Sequence, residues 1–224
     1  MIPMKNTRNL IHCFMKIIYL LLIAMASNAY GQGTLIYDQS SATNPLAGGG
    51  GAPIQLDQPM GQSFTPTLSS VGFVQLNFND LSSGLGATVY LNLWSDSISN
   101  GTLLASTDPV FMPGGNYFHL VTNFMFSASV SVTPGTTYYL QPLIQSGDAS
   151  TALTVVDSVA FNYSGGTFYA SGTPDPNGQD LWFREGIITV PEPTASLLIL
   201  LGGGLFLFVR RAQECAPYHR NQCQ

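Results

Sequence analysis

Residues 74–79 read Val-Gln-Leu-Asn-Phe-Asn, and this stretch decides the fold class because apolar and polar side chains alternate along it. Successive side chains of an extended strand point to opposite faces, so Val74, Leu76 and Phe78 share one face and the amide side chains share the other. Residues 88–93, Thr-Val-Tyr-Leu-Asn-Leu, repeat the pattern. Both stretches predict β-strands with one apolar face directed into a core.

Segments of the same extended character lie on both sides of this stretch. They are Thr34–Asp38, Gly61–Thr65, Leu103–Thr107, Tyr117–Phe126, Ser129–Val132, Tyr138–Ile144, Leu153–Val156, Val159–Tyr163, Thr167–Ala170 and Leu181–Thr189. Turn signals separate them at Asn100-Gly101, Pro113–Gly115, Pro134-Gly135, Ser164–Gly166 and Pro174–Gly178. Asn100-Gly101 predicts a tight type I′ turn, whose central residues need positive φ. Many short strands and no helical period between residues 32 and 189 predict an all-β, two-sheet antiparallel β-sandwich of jelly-roll type.

The N-terminal residues 1–31 have the three parts of a secretory signal peptide. Lys5, Arg8 and Lys16 form a basic region, and the apolar residues 17–26 follow as a predicted signal helix. Small residues before Gln32 suit the signal peptidase, and a cut before Tyr30 is the alternative. The segment predicts export of the chain and its own removal.

The C-terminal residues 190–211 begin with Pro191-Glu192-Pro193, continue without a charge from residue 194 to 209, and end with Arg210-Arg211. This order resembles the PEP-CTERM sorting signal of Gram-negative envelopes. The resemblance implies that a membrane exosortase recognises the segment, cuts near the Pro-Glu-Pro triplet and delivers the upstream domain to the cell surface or extracellular matrix.

The length of the apolar run agrees with a transient anchor. Residues 195–209 would form a hydrophobic helix of about 22 Å, which is short for a hydrocarbon core of about 30 Å. The flanking arginines place residues 212–224 in the cytoplasm as a short tail. A permanent single-pass anchor is the alternative. Cys215, His219 and Cys223 in the tail are interpreted as incidental rather than as a metal site.

Residues 32–189 then form one domain, large enough to bury about 70% of its unfolded surface. It contains no cysteine, and one arginine, Arg184, stands against ten acidic side chains, which gives a net charge of −9. Proteins bind phosphate backbones through clusters of Lys and Arg. The composition therefore excludes nucleic acid as a partner.

A second resemblance rests on local sequence patterns that follow one another in a fixed order. Leu93–Asp96 is followed by Asn100–Ser106, then by Val132–Leu140 and by Asp180–Arg184. Together they are similar to the secreted choice-of-anchor β-sandwich domains. The resemblance implies a sandwich fold and surface display, and it carries over no catalytic residue.

Catalysis is not expected of this domain. Its single histidine, His119, lies in an alternating strand, where a structural role is favoured over that of a general base. No Gly-x-Ser-x-Gly elbow, His-Glu-x-x-His helix or phosphate-binding Gly-Lys-Ser loop occurs in the sequence. We predict that the protein is not an enzyme.

Two sets of polar residues have candidate roles other than catalysis. Asp175, Asn177 and Asp180 surround a glycine turn and are candidate calcium ligands, with an ordinary turn as the alternative. Arg184 is expected to pair with a carboxylate that pins the last strand, and Asp180 is the candidate partner. A bound ligand is the alternative partner for this arginine.

Carbohydrate binding is the second functional hypothesis. Trp94 and Trp182 are the main candidates because sugars bind flat aromatic faces, and three tyrosines could join them, namely Tyr90, Tyr139 and Tyr169. Packing in the core is the competing interpretation of the tryptophans. The sequence thus predicts an exported matrix protein with a structural or adhesive role, and alternatively a carbohydrate-binding module for envelope or matrix polysaccharide.

Overall fold

A computed structural model describes residues 33–80, 84–98, 100–115, 117–147 and 153–189 of the 224-residue chain. The signal peptide, the sorting segment with Pro191, Glu192, Pro193, Arg210 and Arg211, and the tail with Cys215 and Cys223 lie outside these residues. Leu35–Thr189 form one compact unit. Among the described residues, no helix has the length and apolar character needed to cross a bilayer.

Fifteen strands and no helix make up the secondary structure of the described residues, so the all-β prediction is confirmed. In chain order the strands are β1 Thr34–Ser40, β2 Ala52–Pro53, β3 Gly61–Phe64, β4 Ser70–Asp80, β5 Gly86–Ser95, β6 Leu103–Ser106, β7 Val110–Pro113, β8 Tyr117–Ser131, β9 Tyr138–Gly147, β10 Leu153–Val155, β11 Asp157–Ser158, β12 Phe168–Ala170, β13 Thr173–Pro174, β14 Asp180–Leu181 and β15 Phe183–Thr189.

The six-stranded sheet is built around β4, the strand that contains the alternating stretch 74–79. One edge of β4 pairs with β8, while β15 and β10 pair with successive parts of its other edge, all antiparallel. β1 lies beside β15, and β2 lies beside β10.

The seven-stranded sheet has the order β13-β12-β3-β9-β5, with β6 and β7 pairing with successive parts of the far edge of β5. The β3–β9 and β9–β5 pairings, which form its centre, are antiparallel. Strands β11 and β14 form a separate two-stranded sheet. The antiparallel sheets agree with the prediction.

The core lies between the two large sheets. Val74, Leu76 and Phe78 of β4 are fully buried in one cluster with Leu91 and Leu93 of β5. Phe64 and Phe183, one from each sheet, bring their ring centroids to 6.4 Å. These contacts give the molecule a sandwich-like architecture and confirm the alternation that the sequence showed. Burial of each such side chain contributes about 1.5–3 kcal/mol.

Polar side chains of β4 face away from the core as predicted, yet they are buried. Gln75, Asn77 and Asn79 have at most 7% of their surface exposed, and the β1–β2 connection, residues 41–51, accepts hydrogen bonds from Asn77 and Asn79. Asn77 Nδ2 donates to the carbonyl of Pro45 at 2.7 Å. The outer side of this sheet is therefore a second packed layer rather than a solvated face.

Three strand predictions need correction. The predicted strand Leu181–Thr189 divides at Trp182 into β14 and β15, which belong to different sheets. Residues 159–163 do not form a strand, because Ala160 N donates to Ser158 Oγ and Phe161 N to the Ser158 carbonyl, which closes a turn there. The predicted strand at 129–132 is not separate but continues β8, whose register against β4 shifts at a bulge. Phe161 packs against Trp182 on the outer side of the six-stranded sheet instead of entering the main core.

Two of the predicted glycine-containing turns differ in outcome. Pro134-Gly135 forms the predicted turn, with φ of 80° at Gly135 and a hydrogen bond of 3.1 Å from Thr136 N to the Thr133 carbonyl. Asn100-Gly101 does not form a type I′ turn, since Gly101 lacks positive φ and seven residues separate β5 from β6. Glycine is needed there because a Cβ would lie 1.8 Å from the Ser95 carbonyl oxygen.

Candidate functional site

The outer face of the seven-stranded sheet, its side away from the core, carries a set of aromatic and amide residues. Strand alternation places Leu91 and Leu93 in the core and directs their neighbours outward. Antiparallel pairing of β5 with β9 then sets three outward pairs side by side, namely Trp94 with Tyr139, Asn92 with Gln141 and Tyr90 with Leu143.

Three aromatic side chains form a row across the strands of this face, which we call the aromatic row: Trp94 on β5, Tyr139 on β9 and Tyr169 on β12. All three are partly exposed. The Tyr139 and Tyr169 rings meet edge to face, with centroids 5.5 Å apart. They come within reach because β3, between their strands, presents only Ser63 opposite Tyr139 and Gly61 opposite Tyr169.

A relay of hydrogen bonds fixes the orientation of Trp94. Its indole Nε1 donates to Gln141 Oε1 at 2.8 Å, and Gln141 Nε2 donates to Gln58 Oε1 at 2.9 Å. Gln58 Nε2 in turn donates to the carbonyls of Ile54 and Pro142. Since the relay ends on backbone groups, the indole is held in place before any ligand arrives.

Polar groups beside the row complete the site. Ser106 Oγ donates to Asn92 Oδ1 at 2.6 Å, and the exposed Asp96 follows the end of β5. Burial raises the pKa of the Tyr139 hydroxyl, and the Tyr169 phenol and the Asp96 carboxylate raise it further. The Tyr139 hydroxyl therefore stays protonated and can act as a hydrogen-bond donor.

Trp182, the other predicted sugar-binding tryptophan, does not belong to this face. Its side chain is fully buried, and its Nε1 donates to the Asn44 carbonyl at 2.8 Å. The Arg184 guanidinium lies 4.8 Å from the centre of its ring. These contacts make Trp182 a packing residue beneath the β1–β2 connection, so the packing interpretation holds for it.

Arg184 does not pair with Asp180 as predicted. Its guanidinium donates to the carbonyls of Ala42 and Thr43 and stacks on the rings of Tyr37 and Trp182. The arginine was expected to need a carboxylate because it is the domain's single cation, but the backbone carbonyls and π faces that surround it satisfy the charge instead.

The candidate calcium ligands are engaged in protein hydrogen bonds. Asp180 is buried and accepts from Gln62 Nε2 at 2.8 Å and from Tyr163 N at 3.0 Å. Asp175 accepts from the backbone N–H groups of Asn177 and Gln179. Among the described residues, no three His, Cys, Asp or Glu side chains are grouped to hold a metal ion. The calcium site stays a prediction, and the hydrogen bonds give both carboxylates a structural role.

His119 occupies a bulge on the other large sheet. The register of β8 against β4 shifts there, and His119 has a φ of 61°, which is unusual for a residue other than glycine. Its backbone N–H donates to Asn79 Oδ1 at 2.9 Å. This hydrogen bond stabilises the strained backbone, which is consistent with the structural role expected from the sequence.

Sequence reasoning missed three members of the site, Gln141, Gln58 and Asp96. Gln141 lies two residues after Tyr139 and therefore on the same face of the strand, so the alternation already contained its signal. Asp96 follows Trp94 by the same spacing at the end of β5. Gln58 lies in the connection between β2 and β3, which is distant from Trp94 and Gln141 along the chain, and nothing local in the sequence relates it to Trp94.

No protein-family model and no curated protein matches the chain. A functional proposal for this protein therefore depends on the geometry described above.

Proposed function

We propose that the protein is an exported, non-catalytic β-sandwich that adheres to extracellular polysaccharide through the outer face of its seven-stranded sheet. The observation that carries the proposal is the aromatic row, with Trp94 fixed by the Gln141–Gln58 relay and amide groups directly beside it. The sequence left an adhesive role and a carbohydrate-binding role as alternatives. In this proposal they are the same function, because the protein adheres by binding polysaccharide at this face.

Polysaccharide suits the face for two physical reasons. A sugar ring has an apolar side that packs on an aromatic ring, while its hydroxyl groups need hydrogen-bonding partners. The Tyr139 hydroxyl on the face and the exposed Asp96 carboxylate after β5 can supply them, whereas Asn92 and Gln141 are buried and hold the face in shape. The indole is also pre-oriented, which reduces the entropy lost when a ligand is bound. An open sheet face can follow a chain of sugar rings over several residues.

Substitution of the row tests this function. We expect Trp94→Ala to weaken binding to an envelope polysaccharide by more than about tenfold, because most binding energy at such sites comes from a few aromatic residues. Tyr139→Ala should weaken it as well. Binding isotherms of the full-length chain on a glycan array and on purified matrix polysaccharide measure the effect.

Phe118→Ala is the matched control, since Phe118 is an aromatic residue of the other large sheet with 59% of its surface exposed. It should leave the isotherm unchanged. If no envelope glycan binds the wild-type chain, polysaccharide adhesion is wrong and a structural role without a ligand replaces it.

Export and sorting support the proposed location at the cell surface or in the extracellular matrix of a Gram-negative-type bacterium. The support is the sequence of residues 1–31 and of the Pro191–Arg211 segment, which resembles the PEP-CTERM signal. An exosortase would then be the processing partner, and the membrane contact of the C-terminal segment would end on cleavage. We also propose that residues 17–26 and 195–209 form the signal helix and the sorting helix, and that the strands of the domain are connected as in a jelly roll.

Mass spectrometry of the native protein tests the sorting step. We expect a mature N-terminus near Gln32 and a mature C-terminus near Pro191, because both processing sites flank the compact domain. Cells that lack the exosortase supply the control, in which the C-terminal shift should disappear. A surface protein that retains Gln224 would contradict C-terminal processing and would favour the permanent anchor.

A further inference from the structure

An acidic side chain, Asp96, follows the β5 end of the aromatic row. Asp96 is exposed and directly follows Ser95, the last residue of β5, which pairs with Tyr138, the neighbour of Tyr139 on β9. Ser95 Oγ donates to Asp96 Oδ2 at 2.7 Å, and the Asp96 side chain is exposed, so a ligand can reach its carboxylate. A ligand on the row therefore meets π faces and a carboxylate oxygen together.

Among the residues that the structure describes, no Lys or Arg side chain offsets this charge. Arg184 is the single Lys or Arg between residues 32 and 189. It belongs to β15 of the six-stranded sheet, where the carbonyls of Ala42 and Thr43 and the rings of Tyr37 and Trp182 surround it. It is therefore not available to neutralise Asp96 or to attract a negatively charged ligand.

From this arrangement we propose that the aromatic row selects a polysaccharide that carries protonated amino groups, such as a deacetylated amino-sugar polymer, over acetylated and acidic polymers. The inference rests on the proposed polysaccharide binding and names its ligand class. An ammonium group can donate to the Asp96 carboxylate while it lies against the electron-rich face of Trp94, the aromatic side chain that binds cations best.

Acidic and acetylated polymers lack this combination. A uronic-acid polymer would bring carboxylates towards Asp96 and towards a domain with a net charge of −9, and like charges repel. An N-acetylated polymer keeps the stacking on the row but has no positive charge to pair with Asp96. The row and the carboxylate together favour the amine.

Three soluble oligosaccharides test the proposal by titration calorimetry with the full-length chain. They are glucosamine oligomers, N-acetylglucosamine oligomers of the same length, and an alginate oligomer. Below the pKa of the ligand amine we expect glucosamine oligomers to bind up to about fivefold more tightly than their acetylated counterparts, since a solvent-exposed ion pair has about this effect. The preference should shrink as salt or pH is raised, because salt screens the pair and high pH removes the ligand charge.

Variants separate the specific pair from general attraction between a polycation and an acidic protein. Asp96→Asn should abolish the preference while the acetylated oligomer still binds, and Trp94→Ala should weaken the binding of both. Asp108→Asn is the control, since Asp108 is also exposed and its loss changes the net charge equally. It should retain the preference.

The outcomes distinguish the preference for amines from polysaccharide binding in general. Equal binding of both oligomers, equal losses in Asp96→Asn and Asp108→Asn, or tighter binding of alginate would overturn the preference for amines and leave polysaccharide binding standing. Failure of all three oligomers and of the glycan array to bind would instead overturn polysaccharide binding itself.

Discussion

Ionisation of Glu185 is expected to lower the free energy of unfolding by up to about 5 kcal/mol as the pH rises from about 4.5 to about 8, and Glu185→Gln should remove this contribution. Glu185 lies on β15 and points inward like Phe183, two residues earlier, and none of its surface is exposed. Neither carboxyl oxygen makes a hydrogen bond of normal geometry. Burial, and then the nearby Asp38, raise the pKa of this carboxyl from 4.5 to about 8.

The sign follows from the two protonation states. In the unfolded chain Glu185 ionises near its ordinary pKa of 4.5, whereas in the folded protein it holds its proton up to about pH 8. The native state therefore binds more protons than the unfolded state within this window, so stability decreases with pH there and levels off above it. Below pH 4.5 Glu185 contributes no dependence.

Asp38 stays ionised beside Glu185 because of its own partners. Burial opposes the charge, but backbone N–H groups of Leu68 and Thr67 and the side chains of Thr67 and Gln39 donate to the carboxylate and hold the pKa of Asp38 below its usual value. A charged Asp38 next to a neutral Glu185 is therefore the stable pairing at neutral pH.

Chemical denaturation of the wild-type chain and of Glu185→Gln between pH 4 and 9 measures this effect. Asp108→Asn is the control, because its exposed side chain should leave the pH profile unchanged. A wild-type profile that is flat between pH 5 and 8, or one that Glu185→Gln fails to flatten, would show that the buried carboxyl does not carry the dependence.

Trp182→Ala is expected to lower the free energy of unfolding by about 3–5 kcal/mol, as large-to-small changes of buried tryptophans do. Trp182 packs with Val156 and Phe161, donates to the Asn44 carbonyl and stacks with Arg184. The substitution leaves a cavity beneath the β1–β2 connection and removes one of its anchors. Cleavage of that connection by protease should therefore speed up.

Trp94→Ala provides the comparison, with an expected loss of roughly 1–2 kcal/mol because Trp94 is partly exposed. Urea unfolding followed by circular dichroism measures both variants without relying on tryptophan fluorescence. The two substitutions should therefore have different main effects. Trp182→Ala should mainly lower stability, and Trp94→Ala should mainly weaken polysaccharide binding. Equal stability losses would contradict the burial difference on which this assignment depends.

The aromatic row shows how much of the candidate site can be predicted from strand alternation. Alternation along residues 88–93 predicts that Tyr90, Asn92 and Trp94 share a face, and the sequence named Tyr139 and Tyr169 as further candidates. It could not predict that β9 and β12 bring these tyrosines to Trp94, because the register between strands is set by contacts between residues far apart in the chain.

The sequence by itself determined the all-β class and the core faces of β4 and β5, because side-chain direction in a strand is a local property with a period of two residues. Only the tertiary structure decided which outward-facing residues remain exposed. Trp94 stays accessible, whereas Trp182 is buried because the connection 41–51 folds over the outer side of its sheet, and Glu185 occupies a core position that composition would assign to solvent. Exposure depends on which distant segment covers a face, and no local pattern encodes that.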